Sequence, residues 1–436
     1  MLCYTNLNTL QQDFKLMFMY IEPIIFYHKF DVLYKILNEE VLEDMKSLRQ
    51  VAEKYGTPVL VMDLNVVKQN YMNLVENIKN CKVYYAVKSN SHVEIVKLLR
   101  DLGSHFDVAS RGEIEKLLSL GVEPSRMSFG NTIKKTEDIK FAYEHGIKMF
   151  AVDAEMEIEK IAAVAPGSDV YVRISTNGME DDADWPLTRK FGTSVSHAIE
   201  LVKYAKSMGL NPIGLSFHVG SQNYNPENWR TAIREASIVF EEAKEYGINM
   251  TMINTGGGMP VKYVRDIPTV KQIAKVINEA VEEYLGDNIT VIVEPGRSMV
   301  GNAGVMITKV ILRSRKGEEN WLYLDAGVFH GLTETIQNIR YRITVDGKED
   351  EEIDTFVLAG PTCDSVDVMY YDAQLPKSTT LGDIVYFHTA GAYTSEYATN
   401  FNGIASPQVI FVNGILSDES DSLQKELVEI KKSKFD

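Results

Sequence analysis

The sequence predicts a parallel (β/α)8 barrel followed by a smaller, mostly β domain. Three observations carry this. Eight short apolar, β-branched or aromatic runs recur between residues 82 and 294, separated by helical or turn-forming stretches. Near residue 300 the alternation stops, and strand-like runs follow one another with little helix. Polar residues that a buried strand should not carry gather at the C-terminal ends of the eight runs. Alternating strand and helix patterns indicate parallel β/α units, and eight of them suffice to close a barrel. A doubly wound open sheet has the same alternation and stays open here as the other architecture.

The strand-like runs are KVYYAV (82–87), HFDVA (105–109), RMSFG (126–130), KMFAVD (148–153), DVYVRI (169–174), PIGLSFHV (212–219), MTMINT (250–255) and ITVIVE (289–294). Between them, VEIVKLLRDLG (93–103), GEIEKLLSLG (112–121) and PENWRTAIREASIVFEEAKEYG (226–247) repeat apolar residues three and four apart with charges between. That is the period of a helix with one buried face. Beyond 300 come VMITKVIL (305–312), NWLYLDAG (320–327), DTFVLAG (354–360), DIVYFH (383–388) and PQVIFV (407–412), separated by turns and loops. Helical patterning there is confined to 333–342 and to the charged tail 417–436, expected as a solvated helix. PVLVMDL (58–64) precedes the barrel and is expected to pair with the β domain. The expected division is an extension over 1–45, a strand lent to the β domain within 46–65, the barrel over 66–300, and the β domain with its tail over 301–436.

A chain of 436 residues, 45% hydrophobic, has ample material for such a core. Its formal net charge of −16 disfavours a phosphate backbone as partner and favours cationic small molecules. Cys3, Cys81 and Cys363 are too few and too scattered for a disulfide or zinc framework, so the reading is a reducing cytoplasm and no metal. Leu16 to Phe26 is apolar but interrupted by Glu22 and Pro23, too short to span a bilayer, and it lacks the basic leader and cleavage site of a signal peptide. The first 45 residues therefore read as an extension, with Met17, Met19 and Met45 as alternative starts.

In a barrel the C-terminal strand ends converge on one mouth. Here they carry Lys88, Asp107, Asn131, Asp153, Arg173, His218, the glycines 256–258 and Glu294. Each has an ordinary reading when taken alone. Lys88 can snorkel to solvent, His218 can be a hydrogen-bonded core histidine, Gly256, Gly257 and Gly258 can form a flexible turn, and Glu294 can pair with Arg297 within EPGR. Each also has a chemical reading. Lys88 suits a Schiff base with a carbonyl cofactor, its pKa brought down by desolvation. The His218 imidazole can lie against an aromatic ring. The glycines can present successive N–H groups to a phosphate, and Arg297 can grip that phosphate bidentately. A carboxylate at Glu294 opposite a ring nitrogen would keep the nitrogen protonated. The conjunction describes pyridoxal 5'-phosphate and is far more specific than any member.

With these residues in order, the chain resembles the fold-type III pyridoxal-phosphate decarboxylases, the ornithine/lysine/diaminopimelate/arginine group, over about residues 46 to 415. The shared motifs are YAVKSN (85–90), FDVASRGEI (106–114), WPLTRKFG (185–192), FHVGSQ (217–222), TGGGMP (255–260), EPGRSMV (294–300), GPTCDSVD (360–367) and GAYT (391–394). WPLTRKFG, LDAGVFHGLTET (324–335) and GPTCDS look most like the bacterial lysine/ornithine branch. The resemblance implies an alanine racemase-like barrel with a C-terminal β-sandwich-like domain. It implies that Lys88 carries the cofactor imine, that His218 stacks on the ring and that Glu294 meets its nitrogen. Ser221, Gly258, Arg297 and Tyr393 would hold the phosphate, with Asp107, Glu113 and Arg173 as the polar network around Lys88. It further implies a homodimer in which Cys363 protonates the substrate carbanion and Asp364 pairs with the distal ammonium, both reaching across from the second subunit. Without the resemblance, Cys363 reads as a buried small hydrophobe, Asp364 as a turn residue and Tyr393 as a loop aromatic.

The implied reaction is decarboxylation of L-ornithine or L-lysine to putrescine or cadaverine, a step of polyamine synthesis. One methylene separates the two substrates, a difference of about 1–3 kcal/mol in a pocket, so dual use is expected. Diaminopimelate decarboxylases carry CES where this chain has CDS, which disfavours that substrate. Relatives place an acid for the distal amine on the short helix after 332. Here Gln337 and Asn338 stand near that place, so Glu334 substitutes, or Asp364 acts alone, or the substrate is another basic amino acid such as arginine or carboxynorspermidine. A racemase would need a second base opposite Lys88, and a non-catalytic regulatory relative would be expected to have lost the cofactor contacts that are all present here.

Overall fold

Eight parallel strands close into a barrel, and the chain on either side of them builds one curled mixed sheet. The computed structural model describes residues 47–176, 182–185, 190–337 and 339–416. The expected extension, the tail 417–436, residues 186–189 of WPLTRKFG and Asn338 lie outside the described residues.

The chain enters through β1 (Val59–Asp63) and lays down β2 (Cys81–Ala86), β3 (His105–Val108), β4 (Met127–Phe129), β5 (Met149–Val152) and β6 (Asp169–Arg173). After the short β7 (Ala183–Trp185) come β8 (Asn211–Ser216), the short β9 (Ser221–Asn223), β10 (Met252–Asn254) and β11 (Thr290–Val293). Strands β2 to β6, β8, β10 and β11 pair in parallel, and β10 hydrogen-bonds both β8 and β11 so that the ring is complete. Closure excludes the doubly wound open sheet. β7 and β9 form a separate antiparallel pair that the sequence patterning does not reveal.

The barrel interior is filled by Tyr84, Ala151, Tyr171, Met252 and Ile292, with Met149 and Ile213 packed against them. On the outside, helix Glu227–Glu245 buries Trp229, Ala232, Ile233, Ala236, Val239, Phe240 and Ala243, the three- and four-residue spacing of a single apolar stripe. Helix Val270–Tyr284 starts at a reciprocal capping box between Thr269 and Gln272, which satisfies two otherwise unpaired backbone donors.

Beyond the barrel, β12 (Gly304–Lys316), β13 (Glu319–Leu324), β14 (Ile343–Val345), β15 (Ile353–Ala359), β16 (Val368–Pro376), β17 (Ile384–His388) and β18 (Gln408–Val412) form the second sheet, in the order β14-β17-β12-β13-β15-β16. β1 joins it, antiparallel to β12 and parallel to β18. The buried Asp63 carboxylate secures this junction. It caps the helix Leu64–Asn77 through Asn65 N–H at 2.9 Å and accepts the N–H groups of Gly414 and Leu416.

One expectation changes here, and one strand escapes the patterning. The segment 333–342 is not one helix: Thr333–Gln337 forms a 3-10 turn and the chain then enters β14. The long β16 has no alternating pattern because Tyr371 and Asp372 are both exposed in succession. Among the described residues no helix is long and apolar enough to cross a membrane.

Candidate active site

Lys88 does not end a strand. β2 stops at Ala86, whose N–H is taken by the Pro295 carbonyl at 3.1 Å, and Lys88 sits in the 3-10 turn Val87–Ser89. Ser89 Oγ donates to the Ala86 carbonyl at 2.8 Å, and Tyr85 donates to the Asn90 carbonyl at 2.7 Å, so the turn is held from both sides. The Lys88 side chain is accessible to water yet surrounded by protein, which places it in the concave mouth rather than on the surface.

Burial would lower the Lys88 pKa, but Asp107, Tyr393 and Glu294 outweigh it and leave the ammonium favoured. This reverses the expected direction, because acidic neighbours gather around the amine and offset the effect of its burial. Asp107, at the end of β3 beside Ala86, is pushed well above the carboxylate range by burial first and by Glu294 second. Its Oδ1 is buried without a hydrogen-bond partner. Glu113 sits behind it, accepting the Ala109 N–H at 2.6 Å, and burial raises its pKa as well. Arg173, at the end of β6, lies over the Phe191 ring at 5.1 Å and opposes the charge on Lys88. Asp153 accepts the Gly192 N–H at 2.9 Å, and Asn131 donates to the Ala109 carbonyl at 3.3 Å, so these two strand-end residues shape loops.

His218 accepts the Gly220 N–H on Nδ1 at 3.0 Å, which leaves the proton of a neutral ring on Nε2. Burial first, then Arg173 and Lys88, hold its pKa well below the usual value. The glycine turn runs beside it. A Cβ on Gly257 would lie 2.7 Å from the Glu294 carbonyl and 3.2 Å from His218 Nε2, and one on Gly258, at φ +92°, would lie 2.4 Å from the Gly220 carbonyl. The N–H groups of Gly257 and Gly258 donate no hydrogen bond among the described residues. Glu294, just past β11, accepts from the buried Asn254 amide at 2.5 Å.

Arg297 is buried in a hydrogen-bond cage. Its Nε donates to Ser221 Oγ at 3.3 Å, Nη1 to Tyr263 at 2.7 Å and to Glu334 Oε2 at 2.7 Å, and Nη2 to Glu334 Oε1 at 2.6 Å. Two of the expected roles are crowded by this contact. The fork expected on a phosphate is occupied by a carboxylate, leaving one Nη2 hydrogen. Glu334, one of the acids considered for a distal ammonium, has both oxygens on Arg297. Tyr393 packs its ring under the guanidinium at 5.0 Å and holds φ +63°, a left-handed conformation that non-glycine residues seldom adopt. Its N–H donates to the Ser89 carbonyl at 2.6 Å.

Residues 64–301 match the family model described as pyridoxal-dependent decarboxylase, pyridoxal binding domain. The chain belongs to the pyridoxal-dependent decarboxylases. This decarboxylase is 37% identical over 369 residues to a lysine/ornithine decarboxylase of Selenomonas ruminantium, covering 84% of this chain and 92% of that protein. It is similar, at TM-score 0.77 and 34% identity, to a Vibrio vulnificus lysine/ornithine decarboxylase solved with cadaverine, covering 84% and 98% of the two chains. An arginine decarboxylase of Paramecium bursaria Chlorella virus, solved with agmatine, superposes at TM-score 0.78 with 29% identity over 84% and 99%.

The mouth fits pyridoxal phosphate on its own geometry: an amine, an orphaned carboxyl oxygen, a neutral imidazole, two free N–H groups in a turn with no room for a side chain, and a carboxylate tied to that turn. Cys363 and Asp364 stand apart from this decarboxylase's cluster. Cys363 is exposed, not a buried hydrophobe, and its N–H donates to Asn402. Asp364 accepts the Val366 N–H at 2.9 Å, a turn contact. The loop carrying both is braced by Asp367, which accepts from Val328, Thr362 N–H and the Thr362 hydroxyl. Sequence reasoning missed Asn254, Tyr263 and Glu396, the last accepting the Ser91 N–H at 2.8 Å. Asn254 stands two residues before the glycines and was the one with a local signal; the other two approach only through the fold.

Proposed function

We propose that this decarboxylase removes the α-carboxylate of a basic L-amino acid, L-ornithine or L-lysine, to give putrescine or cadaverine. It would act in the cytoplasm, in polyamine synthesis. The observation that carries the reading is the gathering of Lys88, Asp107 and Glu294 with His218 and the free Gly257 and Gly258 N–H groups at the strand ends of one mouth. Lys88 would hold pyridoxal phosphate through its amine and Glu294 would meet the ring nitrogen. His218 would lie against the ring face. Gly257, Gly258, Ser221, Tyr393 and the remaining Arg297 hydrogen would take the phosphate. The chemistry that cofactor supplies when bound is an electron sink for the pair left behind as carbon dioxide departs.

The protein's own part is proton control and exclusion. The neighbours of Lys88 favour its ammonium form, so the amine must give up its proton before it can react. Asp107, held above the carboxylate range within the same cluster, can keep that proton nearby. His218 stays neutral, since its Nδ1 is already accepting from Gly220, so it adds no charge against the ring. Water must be kept from the reacting carbon, or transamination competes.

We infer that the active unit is a homodimer. Cys363 of the partner subunit would return the proton to Cα, and Asp364 of the partner subunit would pair with the substrate's distal ammonium. What supports this is that both residues lie on an exposed, well-braced loop and make no hydrogen bond with their own chain's Lys88 cluster. With both Glu334 oxygens on Arg297, Asp364 is the acid left for that ammonium.

The test is to load the protein with pyridoxal phosphate and supply L-ornithine, L-lysine, L-arginine and meso-diaminopimelate in parallel, following carbon dioxide and amine products by mass spectrometry. Putrescine or cadaverine is the expected product, lost together with the visible cofactor band in Lys88→Ala. Agmatine alone, or no product from any substrate, would overturn the substrate reading.

A further inference from the structure

Asn254 is fully buried at the end of β10, and both ends of its amide are used. Nδ2 donates to Glu294 Oε1 at 2.5 Å, and Oδ1 accepts the Gly256 N–H at 2.9 Å. The orientation is unambiguous in chemistry, because a carboxylate only accepts and a backbone N–H only donates. The Gly256 carbonyl in turn accepts the Glu294 N–H at 2.8 Å. Asn254, Gly256 and Glu294 are therefore closed into a ring of three hydrogen bonds that ties the end of β10 to the end of β11. The ring has little room to distort. Gly256 holds φ +64°, and a Cβ there would lie 2.2 Å from the Phe217 carbonyl.

We propose that Asn254 is a positioning residue that locks the Glu294 carboxylate and the first glycine of the 256–258 turn into one unit. This rests on the cofactor reading above and goes beyond it. The turn would take the phosphate of a phosphorylated pyridine and Glu294 would meet its ring nitrogen, so the Asn254 amide ties the two grips together. With one Glu294 oxygen held by Nδ2, the other oxygen keeps the direction a ring N–H requires. Without the amide, the carboxylate rotates and the turn loses its first anchor together.

The experiment is a double-mutant cycle read by cofactor affinity. Pyridoxal phosphate is titrated by fluorescence into cofactor-free wild type, Asn254→Leu, Glu294→Gln and the double variant. Asn254→Leu is expected to weaken binding about tenfold or more in the wild-type background and several-fold less than that in the Glu294→Gln background, where the Gly256 contact is lost but there is no carboxylate left to misplace. Equal weakening in both backgrounds, or none in either, overturns the proposal. Asn254→Asp keeps the shape and covers the case in which the leucine variant does not fold. It sets a second carboxyl against Glu294, which can donate only while protonated, so cofactor affinity should recover as pH falls. A flat pH profile in that variant overturns the proposal. Wild type that binds no pyridoxal phosphate would instead overturn the cofactor reading itself, which the first titration shows directly.

Discussion

Glu334 holds Arg297 by both oxygens, at 2.7 and 2.6 Å, with each side chain almost wholly buried. Truncating one partner of such a pair leaves an uncompensated charge and costs about 3–5 kcal/mol. Glu334→Ala is therefore expected to lose stability by that order in the cofactor-free protein. The loss should be smaller once pyridoxal phosphate is bound, because a phosphate can take over the released fork. Denaturant unfolding with and without cofactor measures both. Equal losses would mean that the guanidinium does not face the phosphate.

Gly130 stands where a Cβ would lie 1.9 Å from Asp107 Oδ1 and 2.9 Å from its Cγ. Gly130→Ala should turn the Asp107 carboxyl away from Lys88. Overpacking of this kind costs about 1–3 kcal/mol, so the variant should still fold. Turnover should drop by about a hundredfold or more, the scale on which a displaced acid–base group acts. Steady-state kinetics beside a thermal melt separate the two, and an unchanged kcat would show that Asp107 need not stay in place.

Acidification should weaken the fold through its histidines. Burial lowers His92 and His105 to about 4 and His388 to about 3. Each stays neutral when folded, whereas the unfolded imidazole gains a proton near pH 6.5. The unfolded chain thus binds more protons below that pH, and stability falls as pH drops from about 6.5 towards 4. Buried Asp107 and Glu113 act in the opposite sense, so the useful readout is a difference. His92 caps its helix through Nδ1, accepting the Glu94 N–H at 3.4 Å, and asparagine can cap in its place. His92→Asn should flatten the acid side of the stability profile by up to about 1.4 kcal/mol per pH unit. A parallel profile would place the proton uptake elsewhere.

If Cys363 and Asp364 serve the partner's site, two inactive variants should complement each other. Lys88→Ala and Cys363→Ala, each impaired alone, are expected to recover product formation when mixed and allowed to exchange subunits. The mixed dimer would contain one site with both residues intact. Mixed samples no more active than their components would assign each site to a single chain.

The eight barrel strands were readable as runs because each is buried on both faces, and the structure ends them within a few residues of the expected places. The chemistry at their ends was readable for a related reason. Lys88, Asp107 and Glu294 are costly to bury, so their position in the pattern is itself a signal. β16 escaped because its exposed Tyr371 and Asp372 break the period, and the contact of Glu334 with Arg297 escaped because the two stand 37 residues apart in sequence.

By itself, then, the sequence determined the eight β/α units, the residues at their C-terminal ends and the class of cofactor, since burial periodicity and misplaced charge are local properties of a chain, while closure of the strands into a barrel was read only from their pairing. Only the tertiary structure decided the pairing of Glu334 with Arg297, the upward shift of Lys88 and the closed ring of Asn254, Gly256 and Glu294. Each of these is a balance between groups brought together by barrel closure and sheet packing, and the strength of such contacts is set by distance and burial, which no spacing along the chain encodes.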